Sequence, residues 1–327
     1  MISIIIPVYN AKKTISRCLE SIYIQNYPRN LYEVIVIDDA STDNSANIVK
    51  TYPFKLIRLN KNIGPAAARN LGAKKSMGRI LFFVDSDIIL DKNSLIEIKK
   101  AFRDKNVKCL TGMYKKYPEN KGIFPLYKSF LWYHEISNVK LDYVDTMNTA
   151  CGAIRKNVFI GLKGFNQKYR GVECEDVEFS RRLAKKYKIF LNKKLKVGHY
   201  YPTFFKGLKK SFKTYLQWWP LFLKTKKFES AMTSKKLGVG TAFAGLSFIL
   251  LGLSYFFGRN IFFILGVISF IIFISSYSSF YYFIFKQNKK ILSILAIFIS
   301  YINSIVICAA IFLSTIKNGF RYIKKNN

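Results

Sequence analysis

Residues 3–10, SIIIPVYN, and residues 33–39, EVIVIDD, decide how this chain folds. Each is a run of β-branched apolar residues without inward–outward alternation, closed by polar residues suited to a turn. A strand that is apolar on both faces belongs in a parallel sheet covered by helices, because only there are both faces dry. The intervening sequence fits. A helical pattern over about Thr14–Ile24 separates the two runs, and another over about Asn44–Tyr52 follows the second. A short strand near Phe54–Leu59, a helix about Pro65–Ser76 and the buried strand RILFFVD at 79–85 continue the alternation. Residues 1–200 therefore read as an α/β domain, and such sheets bind ligands at the carboxyl ends of their strands.

Outward from that domain the composition changes. Every Asp and Glu lies at or before Glu229, and three apolar runs follow: Thr241–Phe257, Ile261–Phe285 and Ile291–Ile316. A bilayer core takes about 20 apolar residues as a helix. The second and third runs are long enough, and the first is once it is extended back towards Leu237. Residues 237–327 are expected to form about three transmembrane helices with a short basic tail. Between the two regions, at 201–236, Phe204, Leu208, Phe212, Tyr215, Leu216, Trp219 and Leu223 recur at three- and four-residue steps. Lys206, Lys209, Lys210 and Lys213 surround that stripe, and Trp218-Trp219-Pro220 is expected to end it. A basic, aromatic, amphipathic helix just ahead of membrane spans suits the lipid interface.

The 327 residues carry 53 Lys and Arg against 19 Asp and Glu, a formal charge of +34, which calls for an anionic partner. Half the residues are hydrophobic, which excludes a disordered or collagen-like chain. Cys18, Cys109, Cys151, Cys174 and Cys308 form no CxxC pair, so neither a disulfide framework nor a zinc ribbon is expected. The opening residues lack a basic signal segment, so the expectation is a multi-pass cell-membrane protein with a cytoplasmic α/β domain.

The strand ends carry the candidate chemistry. Pro7-Val8-Tyr9-Asn10 closes the first strand and Asp38-Asp39-Ala40-Ser41-Thr42-Asp43 the second. A carboxylate there accepts hydrogen bonds from a base or ribose, although Asp-Ser-Thr also serves as a plain helix cap. Asn62-Ile63-Gly64-Pro65-Ala66-Ala67-Ala68-Arg69-Asn70 opens a helix with small residues that admit close backbone approach, and Arg69 offers a fixed cation. Asp85-Ser86-Asp87 places two carboxylates one residue apart at a strand end, a spacing that suits a hard divalent cation and diphosphate oxygens. Later, Gly171-Val172-Glu173-Cys174-Glu175-Asp176 leads into a helix over Val177–Lys186. Acids there suit the helix dipole, and one of them is placed to act as a general base towards a hydroxyl. His199 follows a short strand at Ile189–Leu191 and is a further candidate metal or phosphate ligand.

Taken in order, SIIIPVYN, VIDDASTDNS, NIGPAAARN, FFVDSD, ACGAIRKNVF, Gly164-Phe165, ECEDVEFSRRL and His199 resemble family 2 glycosyltransferases of the GT-A fold, over roughly residues 1–220. The resemblance implies a Rossmann-like, mostly parallel sheet that binds a nucleotide sugar, UDP- or GDP-linked. It implies that Pro7, Tyr9, Asp38, Asp39, Arg69, Asp85 and Ser86 border that donor. It further implies that Asp85 and Asp87, with His199 added, hold Mn²⁺ or Mg²⁺, and that Asp176 of the Glu175-Asp176 pair is the catalytic base. Processive synthases of the family carry a QxxRW motif. Here the nearest stretch is Gln217-Trp218-Trp219-Pro220, without the Arg, so continuous polymer extrusion is not expected.

The expected function is inverting transfer of a sugar to a hydroxyl on a membrane-held acceptor, such as a polyprenyl-linked saccharide or glycolipid. The alternative is transfer onto polyprenyl phosphate, an acceptor already anionic that needs no general base. A third reading, a nonenzymatic basic membrane-tethered module, would bind polyanions in a salt-dependent, sequence-blind way. No nucleic-acid partner is expected.

Overall fold

The computed structural model describes residues 1–169, 174–226 and 234–326, with side chains as far as Asn318. Gly171, Val172 and Glu173 of the acidic run, and the side chains of Arg321, Lys324 and Lys325 in the tail, lie outside the described residues. The chain divides into two compact units, residues 1–120 with 136–200, and residues 121–135 with 201–327.

Unit one is built on a sheet of nine strands. In chain order they are β1 (Ile2–Val8), β2 (Tyr32–Asp38), β3 (Lys55–Arg58), β4 (Ile80–Val84), β5 (Ile88–Leu90), β6 (Cys109–Tyr114), β7 (Tyr143–Val144), β8 (Cys151–Arg155) and β9 (Ile189–His199). The spatial order is β3-β2-β1-β4-β8-β6-β9-β5, with β7 added against β9. The first four strands pair in parallel, as the apolar runs of β1, β2 and β4 require, with Val8 level with Asp38. Beyond β4 the sheet turns: β8 is antiparallel to β4 and β6, and β9 runs parallel to β6 but antiparallel to β5 and β7. The fold is thus a mixed α/β sheet.

The helices of this unit are α1 (Ile15–Tyr23), α2 (Ser45–Lys50), α3 (Pro65–Lys75) and α4 (Ser94–Ala101), then, past an apolar helix α5 (Ile123–Ser137), α6 (Lys156–Gly161) and α7 (Glu175–Ala184). Helix α3 shows why the sequence is rich in small residues here. Gly64, at φ +85°, turns the chain into Pro65 at the first helical position, where the missing N–H costs nothing. Ala66, Ala68 and Gly72 then let the helix lie directly on β1, since a Cβ at Gly72 would stand 2.5 Å from Ile5 Cγ2.

Two expectations change. The helix placed at Val177 already begins at Glu175, which puts Glu175 and Asp176 inside its first turn. The short strand Ile189–Leu191 runs on to His199, so His199 ends a strand of 11 residues that spans the sheet.

Unit two holds most of α5 with α8 (Phe204–Thr225), α9 (Lys235–Phe257), α10 (Asn260–Lys286) and α11 (Lys290–Asn326). Three stretches, Lys235–Phe257, Asn260–Lys286 and Lys290–Asn318, are long and apolar enough to cross a membrane. Helix α5 lies inside the stretch expected to be one α/β domain, yet its Phe124, Tyr127 and Phe130 join the core of the C-terminal helices, with Phe273, Phe280 and Ile284. Tyr127 also hydrogen bonds Ser300 at 2.9 Å.

Helix α8 does not stop at Trp218-Trp219-Pro220 but runs through Pro220 to Thr225. A proline there leaves the carbonyl of Leu216, four residues back, without its N–H donor. The Ser314 hydroxyl of α11 supplies the missing bond, donating to the Leu216 carbonyl at 2.9 Å. One residue on, Trp219 Nε1 donates to Thr315 Oγ1 at 2.8 Å. In an apolar surrounding, neighbouring hydroxyls are what make a proline in a helix tolerable.

Candidate active site

The ends of β1 and β2 are tied into one ledge. Asn10 and Ala40, both non-glycine residues in the left-handed region at φ +50° and +61°, stand past adjacent strand ends. Such backbone persists only where its surroundings hold it. Asn10 Oδ1 accepts from the Thr42 backbone N–H at 2.9 Å, and the Ser41 hydroxyl accepts from the Asn10 N–H at 3.0 Å. Asp38 is buried, with Oδ1 taking the Ser41 N–H at 3.2 Å and Oδ2 lying 3.3 Å from Arg58 Nε. Asp39 is also buried and accepts the backbone N–H groups of Ile63 and Gly64 at 2.7 and 2.9 Å. The Asp39 carboxylate therefore fixes the loop that starts α3. Tyr9, 53% exposed, and half-exposed Pro7 stand at the rim of the ledge.

The sequence offers Arg69 as a fixed cation pointing towards the site, and the structure buries it. It is 2% exposed and bridges two acids: Nη1 donates to Glu175 Oε1 at 2.7 Å, and Nη2 to Asp85 Oδ1 at 2.6 Å. Its guanidinium also lies 5.8 Å from the Phe165 ring centroid. Burial works against its charge, but the carboxylates of Asp85 and Glu175 outweigh burial and hold its pKa above the ordinary value. Strand end β4 and helix start α7 are thereby joined through one buried ion triad.

That triad rests on an aromatic floor. Phe83, Phe159, Phe165 and Phe179 pack with centroid separations of 4.8 to 5.4 Å. Asn70, the residue after Arg69, holds the floor in place, with Nδ2 donating to the Phe165 carbonyl at 2.8 Å and Oδ1 accepting its N–H at 2.9 Å. Gly164, at φ +62°, is needed just there, since a Cβ would stand 2.6 Å from Asn70 Oδ1.

The two acids that begin α7 are placed differently. Glu175 is buried and committed to Arg69. Asp176 is half-buried, its Oδ1 accepting the Val177 N–H at 2.8 Å. Burial and the neighbouring Glu175 charge push its pKa up to about 7, with the Val177 bond and Arg69 opposing. Such a carboxyl exchanges a proton near neutral pH.

The sequence grouped Asp85, Asp87 and His199 as metal ligands, with Ser86 between the acids. In the structure Asp87 Oδ2 and His199 Nε2 approach to 3.4 Å, while Asp85 turns towards Arg69. Among the described residues no group of three His, Cys, Asp or Glu gathers as a complete cage. A cation that must also hold diphosphate oxygens is ordinarily bound by one or two carboxylates and left otherwise open. One carboxylate and one imidazole at a strand end, with Asp85 31% exposed beside them, fit that requirement.

Two neighbours of this corner carried no sequence signal. The Tyr114 ring stacks on His199 at 4.9 Å and fixes the plane of the imidazole. The Cys18 thiol of α1 lies under the Asp85 carbonyl at 3.6 Å, where burial, with Asp87 and Asp85 adding to it, keeps it protonated. Both contacts come from distant parts of the chain, and only the folded sheet brings them together.

Residues 3–162 match the sequence model of glycosyl transferase family 2. The chain is 32% identical over 132 residues to glycosyltransferase GlyG of Streptococcus pneumoniae serotype 4, which is 39% of this chain and 43% of that protein. It is 40% identical over 98 residues to the poly(ribitol-phosphate) beta-N-acetylglucosaminyltransferase TarS of Staphylococcus aureus, 28% of this chain and 17% of that one. The chain thus spans less than half the length of either relative. Among solved structures, mannosyltransferase PcManGT from Pyrobaculum calidifontis, in complex with GDP-Man and Mn²⁺, aligns with a TM-score of 0.58 at 18% identity, over 97% of this chain and 86% of its own. That likeness is one of fold.

Proposed function

We propose, from the match of residues 3–162 to glycosyl transferase family 2, that this chain is a membrane-anchored inverting glycosyltransferase. It moves a sugar from a UDP- or GDP-linked donor to a hydroxyl of a membrane-held acceptor such as a polyprenyl-linked saccharide or glycolipid. The observation that carries the reading is Asp176, a half-buried carboxyl with a pKa near 7 at the start of α7, tied through Glu175 and Arg69 to the Asp85 strand end.

Asp39 and the ledge around Tyr9 and Asn10 seat the nucleoside. Asp87 and His199, with Asp85 and Ser86 beside them, would hold a divalent cation. Bound there, Mn²⁺ or Mg²⁺ supplies Lewis-acid stabilisation of the departing diphosphate. Asp176 takes the proton of the acceptor hydroxyl as that oxygen attacks the anomeric carbon opposite the leaving group. One displacement inverts the centre, and no protein nucleophile is needed. An acceptor hydroxyl requires a base where a phosphate acceptor does not, and the raised pKa of Asp176 therefore favours the hydroxyl. The three apolar helices, which are long enough to span a bilayer, keep the reaction at the membrane.

The experiment is nucleoside diphosphate release by detergent-solubilised protein with a panel of donors and a membrane lipid extract. Asp176→Asn is expected to lower transfer by about 10²–10⁴-fold with donor binding retained. In the wild type, transfer falls as the pH drops through about 7, because Asp176 then holds its proton and cannot accept another. The Asn variant loses that limb. Transfer within threefold of wild type removes Asp176 from the role.

A further inference from the structure

Unit two crowds positive charge where little answers it. Among its described residues Glu135 is the sole acid, and its carboxylate faces His134 Nδ1 at 3.2 Å. Helices α5 and α8 cross at Gly207, where a Cβ would run into the Phe124 ring. Phe124 also meets Phe204 edge-on, with centroids 5.5 Å apart. That close approach brings Lys128, one turn past Phe124 on α5, near enough to Lys210, one turn past Gly207 on α8, for their charges to repel. Lys128 is half-buried and has no carboxylate partner among the described residues. Burial, with Lys210 adding to it, pulls its pKa down to about 8. On α8, Lys206, Lys210 and Lys213 recur at four- and three-residue steps, all exposed, so they form one basic stripe.

A half-buried ammonium held against a second one is unfavourable unless an anion lies between them. The neighbours decide which kind of anion. Phe205 on α8 is 80% exposed, Ile123 at the start of α5 is 56% exposed, and half-exposed Trp132 follows Lys128 by one turn. Aromatic and apolar surface beside lysines is the chemistry of the layer between headgroups and acyl chains.

We propose that Lys128 and Lys210, at the crossing of α5 and α8, form a binding site for the phosphate group of a membrane lipid. The proposal rests on the reading of α9–α11 as membrane spans.

All three tryptophans, Trp132, Trp218 and Trp219, lie on α5 and α8, so their fluorescence reports on these two helices. The full chain is reconstituted into vesicles of phosphatidylcholine, and bromine-bearing phosphatidylglycerol or bromine-bearing phosphatidylcholine is titrated in as quencher. The expected result is preferential quenching by the anionic lipid, falling about fivefold for each lysine removed. Lys128→Gln with Lys210→Gln brings the preference close to one, Lys128→Arg with Lys210→Arg keeps it, and Lys50→Gln on unit one leaves it unchanged. Where the double Gln variant does not fold, Lys210→Gln alone, at an exposed position, gives the single-step loss. Millimolar inorganic phosphate in the buffer leaves the preference intact. A preference that survives in the Gln variants, or one that free phosphate abolishes, overturns the lipid site. Equal quenching of the wild type by both lipids also overturns the site but leaves the membrane reading standing, whereas no quenching by either overturns both.

Discussion

Arg69 shows how one side chain organises a centre without facing it. Its two terminal nitrogens neutralise Glu175 and Asp85, and its burial removes it from solvent competition. Removing one partner of a buried ion pair leaves an unanswered charge, at a cost of about 3–5 kcal/mol. Arg69→Met is therefore expected to destabilise unit one by that amount, read by pulse proteolysis across a urea series. Adding Glu175→Gln should restore part of the loss, because the orphaned acid is then neutral, and the two effects should fail to add by about 0.5–3 kcal/mol. The sequence offered each of these residues as a candidate, since strand ends and helix starts can be found from apolar runs and turn residues. It did not offer their partnership. Arg69 and Glu175 are 106 residues apart, and nothing local to either run encodes which acid a buried guanidinium will meet. For the same reason the sequence could present Arg69 as a fixed cation pointing towards the site but not as the bridge between Asp85 and Glu175.

Elements were readable in proportion to their dependence on local pattern. Strands β1, β2 and β4 announced themselves as unbroken apolar runs, and α3 by its Gly-Pro start. Strand β8 did not, because Cys151-Gly152-Ala153 has little strand propensity. Its glycine is there for space, since a Cβ at Gly152 would stand 2.6 Å from the Asn148 carbonyl. Helix α8 was cut short at Pro220 because proline ordinarily ends a helix, and the hydroxyl that rescues it lies 98 residues away. The rescue is testable as a cycle. Ser314→Ala strands the Leu216 carbonyl and is expected to cost about 1 kcal/mol. In a Pro220→Ala background that carbonyl regains its own N–H donor, so the same Ser314→Ala change should cost close to nothing. Thermal unfolding of the four purified proteins in one detergent measures the difference, and equal costs in both backgrounds would falsify the pairing.

At the scale of the whole molecule, the division between an acid-bearing α/β part and a C-terminal part without acid beyond Glu229 was plain from composition. The one element it could not assign is α5. Fifteen residues are too few to suggest a span, and a helix with apolar residues around much of its surface does not disclose its partner. The chain passes out of unit one at residue 120, returns at 136 and leaves again at 200. That detour has a consequence in time. During synthesis α5 emerges before β8 and β9 complete the sheet, but its partners Phe273, Phe280 and Ser300 follow well over a hundred residues later. At about 5–20 residues per second that is a wait of roughly ten to thirty seconds, during which Phe124, Tyr127 and Phe130 have none of their final neighbours. A nascent chain in that condition has reason to reach the bilayer before its last helices exist. A fragment ending at residue 200 should accordingly aggregate or bind vesicles when purified, as light scattering would show, and Phe124→Ser, Tyr127→Ser and Phe130→Ser together should keep it dispersed. The sheet can be finished early, but α5 leaves the unfinished protein with an unpaired apolar face until α10 and α11 arrive.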